Sequence, residues 1–215
     1  MYKFLQKWLA RCLHSDLVLY NPELNWAQFA EQARAMETQA LYQKFSFGTG
    51  TKLYPGARIE NFQNTPNSIK TGADCHLRGE LLVFAYGGSI HLGAEVFLGE
   101  HSRIWSAERV VIGSHVLISH QVNISDSNSH EMNHLERAEG FRQLISKGHS
   151  KEKPNIESAP VVIEDHVWIS SQVTILKGIR IGKGSIIAAG SVLTHDVEPF
   201  SLMAGNPARL IRKLQ

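Results

Sequence analysis

Histidine is the residue type in this chain that could do the most chemistry. The sequence has 11 histidines, so a candidate must be chosen by its position and not by its mere presence. His130 stands two positions after a regular segment, residues 124–128, and opens a long polar stretch. A neutral imidazole titrates near physiological pH and can take a proton from a hydroxyl group. We therefore predict that His130 is a general base.

Two polar side chains, Asp126 and Asn128, stand just before this histidine. They could orient the imidazole or bind hydroxyl groups of a substrate, and the alternative is that both satisfy backbone groups at a bend. His134 is a second candidate base, because it would lie beside His130 if the segment were helical. For the other repeat-region histidines, a solvated surface position and a place in a cleft between subunits both stay open: His91, His101, His115, His120 and His166.

The elements that position these residues follow from an internal repeat. An aliphatic residue returns at intervals of six in three runs: Leu92, Leu98, Ile104; Ile112, Ile118, Ile124; Ile163, Ile169, Ile175, Ile181, Ile187, Leu193. Many of them are followed four positions later by a small or β-branched residue: Val96, Ser102, Val116, Val122, Val167, Val173, Ile179, Ser185, Ser191, Val197. A period of six predicts a solenoid of short strands and tight corners, with about 18 residues per coil. Small residues such as Gly93 are expected to let the chain turn these corners.

The chain divides into three parts by this pattern. Residues 1–46 are predicted to form an N-terminal helical segment that includes a helix over 26–42. The β-helix is predicted over residues 47–206, interrupted by a long polar excursion loop at 129–160. A short C-terminal helix is predicted over residues 207–215.

The composition is that of an ordinary folded protein. The balance of 22 basic and 20 acidic side chains gives a net charge of +2, which provides no general basis for nucleic-acid binding. The two cysteines, Cys12 and Cys75, form no CxxC pair and indicate a reducing compartment. No stretch reaches the roughly 20 apolar residues of a membrane helix, and residues 1–13 lack the features of a signal peptide. We therefore expect a cytoplasmic protein.

The first helix is amphipathic, and two roles stay open for it. Lys3, Lys7 and Arg11 on one side could support a weak association with a membrane surface. Alternatively, the helix packs its apolar side on the body of the protein or on a neighbouring subunit.

Several motifs, taken together with the repeat, indicate a resemblance to a known family. They are the histidine-bearing excursion, Asp-His-Val-Trp-Ile-Ser at 165–170, Ile-Ala-Ala-Gly-Ser-Val at 187–192 and Gly-Asn-Pro-Ala-Arg at 205–209. In this order they resemble the hexapeptide-repeat acyltransferases, and most closely the sugar and xenobiotic O-acetyltransferase branch that includes galactoside acetyltransferase. The resemblance covers about residues 69–215. It implies a left-handed parallel β-helix, a homotrimer, and acetyl-CoA bound in the cleft between adjacent prisms, with His130 at the position of the family's catalytic histidine.

The resemblance also implies a set of cofactor-binding residues: Trp168, Ser171, Ala189, Thr194, Arg209 and Arg212. Small side chains at the middle positions leave room for pantetheine and adenine, and guanidinium groups suit the CoA phosphates. The chain departs from the family at Ser170, where glycine is usual, and at His195, where a basic residue is usual. Its excursion is also longer than that of galactoside acetyltransferase.

These features predict an O-acetyltransferase that moves an acetyl group from acetyl-CoA to a hydroxyl of a polysaccharide, lipopolysaccharide or nucleotide sugar, without a metal. One alternative is a zinc protein like the γ-class carbonic anhydrases, which share the prism. His115 and His120 would suit such a site, but position 125, where a further histidine is expected, is serine. The other alternative is a non-catalytic β-helix that serves as an assembly subunit.

Overall fold

The computed structural model describes residues 31–33, 36, 39, 44–63 and 65–215. The chain forms two compact units, residues 1–39 and 40–215, and the β-helix lies in the second. The few described residues of the predicted helix over 26–42 are helical. The amphipathic helix predicted near the N-terminus lies outside the described residues.

Short strands make up most of the described chain. In chain order they are β1 (Lys52–Leu53), β2 (Arg58–Asn61), β3 (Ile69–Thr71), β4 (His76–Leu77), β5 (Glu80–Val83), β6 (Ile90–Leu92), β7 (Phe97–Leu98), β8 (Arg103–Ser106), β9 (Val110–Ile112), β10 (Leu117–Ile118), β11 (Asn123–Ser125), β12 (Val161–Ile163), β13 (Trp168–Ile169), β14 (Thr174–Ile175), β15 (Arg180–Ile181), β16 (Ile186–Ile187), β17 (Val192–Leu193), β18 (Ser201–Gly205) and β19 (Ala208–Lys213). A 3-10 helix covers Pro66–Ser68 and an α-helix, α1, covers His134–Lys147.

The strands stack into three sheets that form the walls of a prism. Sheet 1 has the order β1-β4-β7-β10-β13-β16-β18-β19, sheet 2 the order β17-β14-β11-β8-β5-β2, and sheet 3 the order β15-β12-β9-β6-β3. Strands next to each other are parallel and in register up to β18. Ile104, for example, pairs with Leu81 below and Ile124 above. Each coil therefore contributes one strand to each wall, as the period of six predicts.

The core is a stack of the repeated aliphatic side chains. All twelve members of the predicted six-residue repeat are at most 5% exposed, and so are the small or β-branched residues four positions later. Burying each aliphatic side chain contributes about 1.5–3 kcal/mol, and the repeat places such a residue in every strand of the regular coils. The predicted parallel β-helix and its interior are confirmed.

The corners show that glycine is needed for a different reason from the one expected. A Cβ on Gly93 would lie 2.6 Å from the carbonyl carbon of Gly113 in the next coil, so the small residue leaves room between coils. The sharp turn itself occurs two positions later, where Glu95 and His115 take positive φ values of 56° and 57°. The backbone strain is therefore carried by ordinary residues, while glycine permits close stacking.

The excursion leaves the prism after β11 and returns at β12, and it contains a helix that was not predicted. Asn133 begins α1 by accepting hydrogen bonds on Oδ1 from the N–H groups of Leu135, at 2.9 Å, and Glu136, at 3.3 Å. Gly148, with φ of 79°, ends it. The helix has no buried residue and no clear apolar stripe, which explains why the sequence pattern missed it.

The predicted C-terminal helix is wrong. Residues 208–213 form β19, which pairs antiparallel with β18 so that Ala204 faces Arg209. Gly205 has φ of 103° and, with Asn206 and Pro207, reverses the chain. The open edge of sheet 1 supplies hydrogen-bond partners for an extended segment, and this tertiary pairing outweighs the local preference for helix. In the described part of the chain, no helix is long and apolar enough to cross a membrane.

Candidate active site

The corner between sheets 2 and 3 is organised by the side chain of Asp126. The residue is 0% exposed. Its Oδ2 accepts hydrogen bonds from the Ser106 hydroxyl at 2.6 Å and the Glu108 N–H at 3.0 Å, and Oδ1 accepts from the Ala107 N–H at 2.7 Å. Among the described residues, no hydrogen bond joins Asp126 to His130. The sequence left two roles open for Asp126, orienting the imidazole or satisfying backbone groups at a bend. The observed contacts match the second role.

Asn128 holds together the two ends of the excursion. Its N–H donates to the Glu157 carbonyl at 3.0 Å, and its Nδ2 donates to the Glu157 carboxylate at 3.2 Å. Ser127 and Ser158 form an antiparallel bridge beside this pair. Asp126 and Asn128 therefore fix the base of the excursion, from which His130 projects.

His130 emerges at a sharp turn and lines a cavity beneath the excursion. Ser129 takes a positive φ of 63°, which redirects the chain just before the histidine. The cavity has a volume of about 400 Å³, and its walls include His130. His134 is the first residue of α1 and does not line this cavity, so the two histidines are not on one helical turn as the sequence alternative required.

Aromatic residues of the prism form the floor of this cavity. The rings of Phe84 and Tyr86 are stacked with centroids 5.3 Å apart, and the Trp105 ring meets Phe84 edge-on at 6.4 Å. The Trp105 Nε1 donates to the Glu80 carboxylate at 2.7 Å, which fixes the indole. Phe141 of α1 lies among the lining residues on the excursion side.

Sequence reasoning missed these aromatic residues and the neighbouring Glu131. A partial signal was present, because β5 and β8 are neighbouring strands in which Trp105 pairs with Leu82, two positions before Phe84. Tyr86 lies in the turn after β5, which the repeat does not place. Burial raises the pKa of Tyr86 to about 12, and the charges of Asp126 and Glu131 add to this rise. The phenol therefore remains a hydrogen-bond donor at neutral pH.

The predicted cofactor-binding residues mostly lie along sheet 1. Trp168 projects from β13 and is 45% exposed. Ser171 and Ala189 occupy the corner between sheets 1 and 2 in successive coils, where the Gly190 N–H donates to the Ser171 carbonyl at 2.9 Å. Arg209 and Arg212 project from β19 at the end of sheet 1, and both are exposed. These five residues share one side of the prism.

Thr194 lies apart from that group. It follows β17 at the corner between sheets 2 and 3, and its hydroxyl is 2.8 Å from the Nδ1 of His195. The candidate base also projects from this corner, two coils below. The structure therefore places His130 and the sheet 1 group on different sides of one prism, and a single chain does not bring them together.

The two histidines of the carbonic anhydrase alternative occupy different corners. His115 lies between sheets 3 and 1, where its Nδ1 is 3.1 Å from the Glu95 carboxylate and its ring stacks on His166 at 4.8 Å. His120 lies between sheets 1 and 2. In the part of the chain that the structure describes, no three His, Cys, Asp or Glu side chains are grouped to hold a metal ion.

The chain matches known proteins in both sequence and fold. Residues 160–195 match the family model described as bacterial transferase hexapeptide (six repeats). Galactoside O-acetyltransferase of Escherichia coli is 34% identical over 131 residues, which are 61% of this chain and only 57% of that protein. A mutant of AntD, an N-acyltransferase from Bacillus cereus crystallised with dTDP and coenzyme A, shares the fold with a TM-score of 0.62 at 17% identity, covering 84% of this chain and 89% of that one.

A match that covers more of both chains is WbbJ of Escherichia coli, whose name describes an O-acetyl transferase of lipopolysaccharide biosynthesis. It is 32% identical over 165 residues, which are 75% of this chain and 81% of WbbJ. The match therefore extends well beyond the hexapeptide segment at 160–195. Together with the buried six-residue repeat, these similarities show that the chain belongs to the hexapeptide-repeat acyltransferase family.

Proposed function

We propose that the protein is an acetyl-CoA-dependent O-acetyltransferase that acts on a hydroxyl of a sugar-type acceptor, namely a polysaccharide, a lipopolysaccharide or a nucleotide sugar. The observation that carries the proposal is the position of His130, which lines a cavity of about 400 Å³ large enough for a small ligand. The names of galactoside O-acetyltransferase and WbbJ and the coenzyme A in the AntD complex support the reaction class.

The chemistry follows from a base beside an acceptor hydroxyl. The imidazole of His130 takes the hydroxyl proton while the oxygen attacks the thioester carbonyl carbon. The carbon–sulfur bond then breaks, the acetyl ester forms, and the imidazolium returns the proton to the leaving thiolate. Asp126 and Asn128 act as positioning residues in this scheme, because they fix the base of the excursion that carries the histidine.

Acetyl-CoA is proposed to lie along the sheet 1 side of the prism. Ser171 and Ala189 are small enough to let pantetheine approach the backbone, and Trp168 offers an exposed apolar ring beside them. The guanidinium groups of Arg209 and Arg212 are available for the CoA phosphates. Thr194, at the next corner, is assigned to the cofactor by resemblance alone. The reaction proposed here requires no metal.

A homotrimer is proposed because the two halves of the site lie on different sides of the prism. In a closed ring, the His130 corner of one subunit faces the sheet 1 side of its neighbour. Sheet 1 also presents an outward ribbon of apolar side chains in register, including Leu117 and Trp168, each 45% exposed. Covering such a ribbon favours association.

Further proposals rest on composition and resemblance. We propose a cytoplasmic location, with weak membrane-surface association as an additional role for the N-terminal helix. We also propose the left-handed sense of the coil that the family implies.

The decisive experiment is an acceptor screen with acetyl-CoA in which release of free thiol is measured. Transfer to a sugar hydroxyl, and loss of transfer in His130→Ala, is the expected result. Calorimetry with acetyl-CoA separates the alternatives, since a non-catalytic assembly subunit would show no binding. Metal analysis of the purified protein tests the zinc alternative, since a protein like the γ-class carbonic anhydrases would contain zinc.

A further inference from the structure

We infer that Glu131 and Tyr86 position the acceptor in the cavity beneath α1 by binding hydroxyl groups of a neutral sugar ring. This inference rests on the proposed function and names the subsite that selects the acceptor. It concerns residues next to the candidate base, on the side of the site formed by the excursion.

Glu131 is a largely buried residue whose carboxylate has no partner of opposite charge among the described residues. The residue is only 8% exposed and lines the cavity. Its main-chain carbonyl accepts a hydrogen bond from Arg137 Nη1 at 2.8 Å, but among the described residues its carboxylate oxygens make no hydrogen bond or ion pair. Among the described residues, no buried side-chain oxygen lacks a hydrogen-bond partner, so the unpartnered carboxylate oxygens of Glu131 reach the open space of the cavity. Hydroxyl groups of a ligand in the cavity can donate hydrogen bonds to them.

The helix above the cavity is built to accommodate this carboxylate. Gly140 lies inside α1, where glycine is the least favourable residue apart from proline. A Cβ at this position would lie 2.8 Å from the Glu131 Oε1 and 3.2 Å from Oε2. The glycine therefore keeps space for the carboxylate at the cavity wall, at the expense of helix propensity.

The remaining walls match a sugar ring. Tyr86 keeps its proton at neutral pH and offers a donor, while Glu131 offers acceptors, so both can bind adjacent hydroxyls. The rings of Phe84 and Trp105 provide apolar surface for the carbon–hydrogen face of a pyranose. A negatively charged group at this position would be repelled by Glu131, which favours a neutral ring over an acidic one.

The test uses methyl glycosides of neutral hexoses and of the matching uronic acids as probes. In steady-state assays, Glu131→Gln should raise the acceptor KM about 10- to 100-fold, and Tyr86→Phe about 3- to 10-fold, because a charged bond is stronger than a neutral one. The KM for acetyl-CoA should stay unchanged. Glu139→Gln is the matched control, since Glu139 is an exposed carboxylate on α1 that pairs with Arg142.

A set of monodeoxy glycosides makes the assignment specific. The analogue that lacks the hydroxyl bound by Glu131 should react poorly with the native protein and lose nothing further with Glu131→Gln. Calorimetry with the same methyl glycosides in the presence of CoA gives a readout that does not depend on turnover. Glycoside binding that is lost in Glu131→Gln would support the subsite even if no acetyl transfer occurred, and that outcome would overturn only the proposed reaction. An unchanged acceptor KM in Glu131→Gln, equal changes in both KM values, or no glycoside binding to the native protein would overturn the inference.

Discussion

Gly140 lies so close to Glu131 that a methyl group on its Cα would stand 2.8 Å from the carboxylate oxygen Oε1. The contact is with the flexible end of a side chain and not with backbone. Glu131 can therefore move aside, and Gly140→Ala tests position without removing the carboxylate.

We expect Gly140→Ala to leave the protein as stable or to stabilise it by up to about 1 kcal/mol, because alanine favours helix. The acceptor KM should nevertheless rise severalfold, since the carboxylate is displaced from the cavity wall. Thermal denaturation and steady-state kinetics measure the two effects. Ser146→Ala, at an exposed position of α1, is the control and should leave the acceptor KM unchanged. A Gly140→Ala protein with normal acceptor KM would show that the carboxylate has no fixed place.

His130→Ala should lower turnover by about 10² to 10⁴, the usual contribution of a general base. Acetyl-CoA binding should be nearly unchanged, because the histidine lies on the acceptor side. His134→Ala, in a residue outside the cavity, should have little effect. Turnover and acetyl-CoA affinity of both variants decide the matter. If the His134→Ala protein were inactive and the His130→Ala protein active, the general base would be His134, the first residue of α1.

Replacing Arg209 and Arg212 together with alanine should raise the KM for acetyl-CoA at least about tenfold, since charge-assisted hydrogen bonds contribute about 1.5–3 kcal/mol each. Turnover at saturating acetyl-CoA should change much less. Arg142→Ala removes an exposed guanidinium from α1 and serves as the control. An unchanged KM would mean that β19 takes part only in the hairpin.

Mixed trimers test whether the site is shared between subunits. A His130→Ala chain and an Arg209→Ala/Arg212→Ala chain, each inactive at low acetyl-CoA, should regain activity when co-expressed. Every ring that contains both chains has one intact junction, so random mixing at equal amounts should restore about a quarter of the native rate. If both residues belonged to a site within one chain, mixing would restore nothing. Light scattering should show a trimer for each sample.

The raised pKa of Tyr86 predicts a stability change at alkaline pH. The folded pKa of about 12 lies above the ordinary value of 10, so the protonated phenol is favoured by folding. Its contribution is complete below about pH 10 and is lost as the pH rises toward 12. Urea denaturation should therefore show the native protein losing stability relative to Tyr86→Phe above about pH 10. A difference that is constant with pH would contradict the burial of the phenol.

The interior of the prism could be predicted from sequence because the six-residue repeat alone determines which side chains face inward. Residues such as Ile169 and Val173 face inward at fixed intervals, and no partner elsewhere in the chain changes that. The segment 208–213 could not be predicted in the same way, because its conformation depends on the open edge of β18. Its basic residues fit a helix as well as a strand.

The candidate site also has one part that the sequence predicts and another that depends on long-range packing. The position of His130 at the start of the excursion was visible in the sequence, whereas the cavity depends on how α1 folds back over Tyr86 and Trp105. Nothing in the local pattern around Glu131 indicates that it lines a cavity, because the facing wall is formed by Gly140 and Phe141 of α1. Long-range packing of an irregular segment is the part of the site that sequence periodicity does not encode.

The hairpin of β18 and β19 has a consequence for how these molecules meet end to end. A solenoid wall of parallel strands has an open rim at which another chain can add a strand, and repetition of that step produces fibres. β19 occupies the rim of sheet 1 and runs in the opposite direction, and its exposed side chains include Arg209, Arg212 and Lys213. The same charged strand that is proposed to bind CoA therefore also acts as a terminator of growth, and a chain without it would expose a rim on which polymers could start.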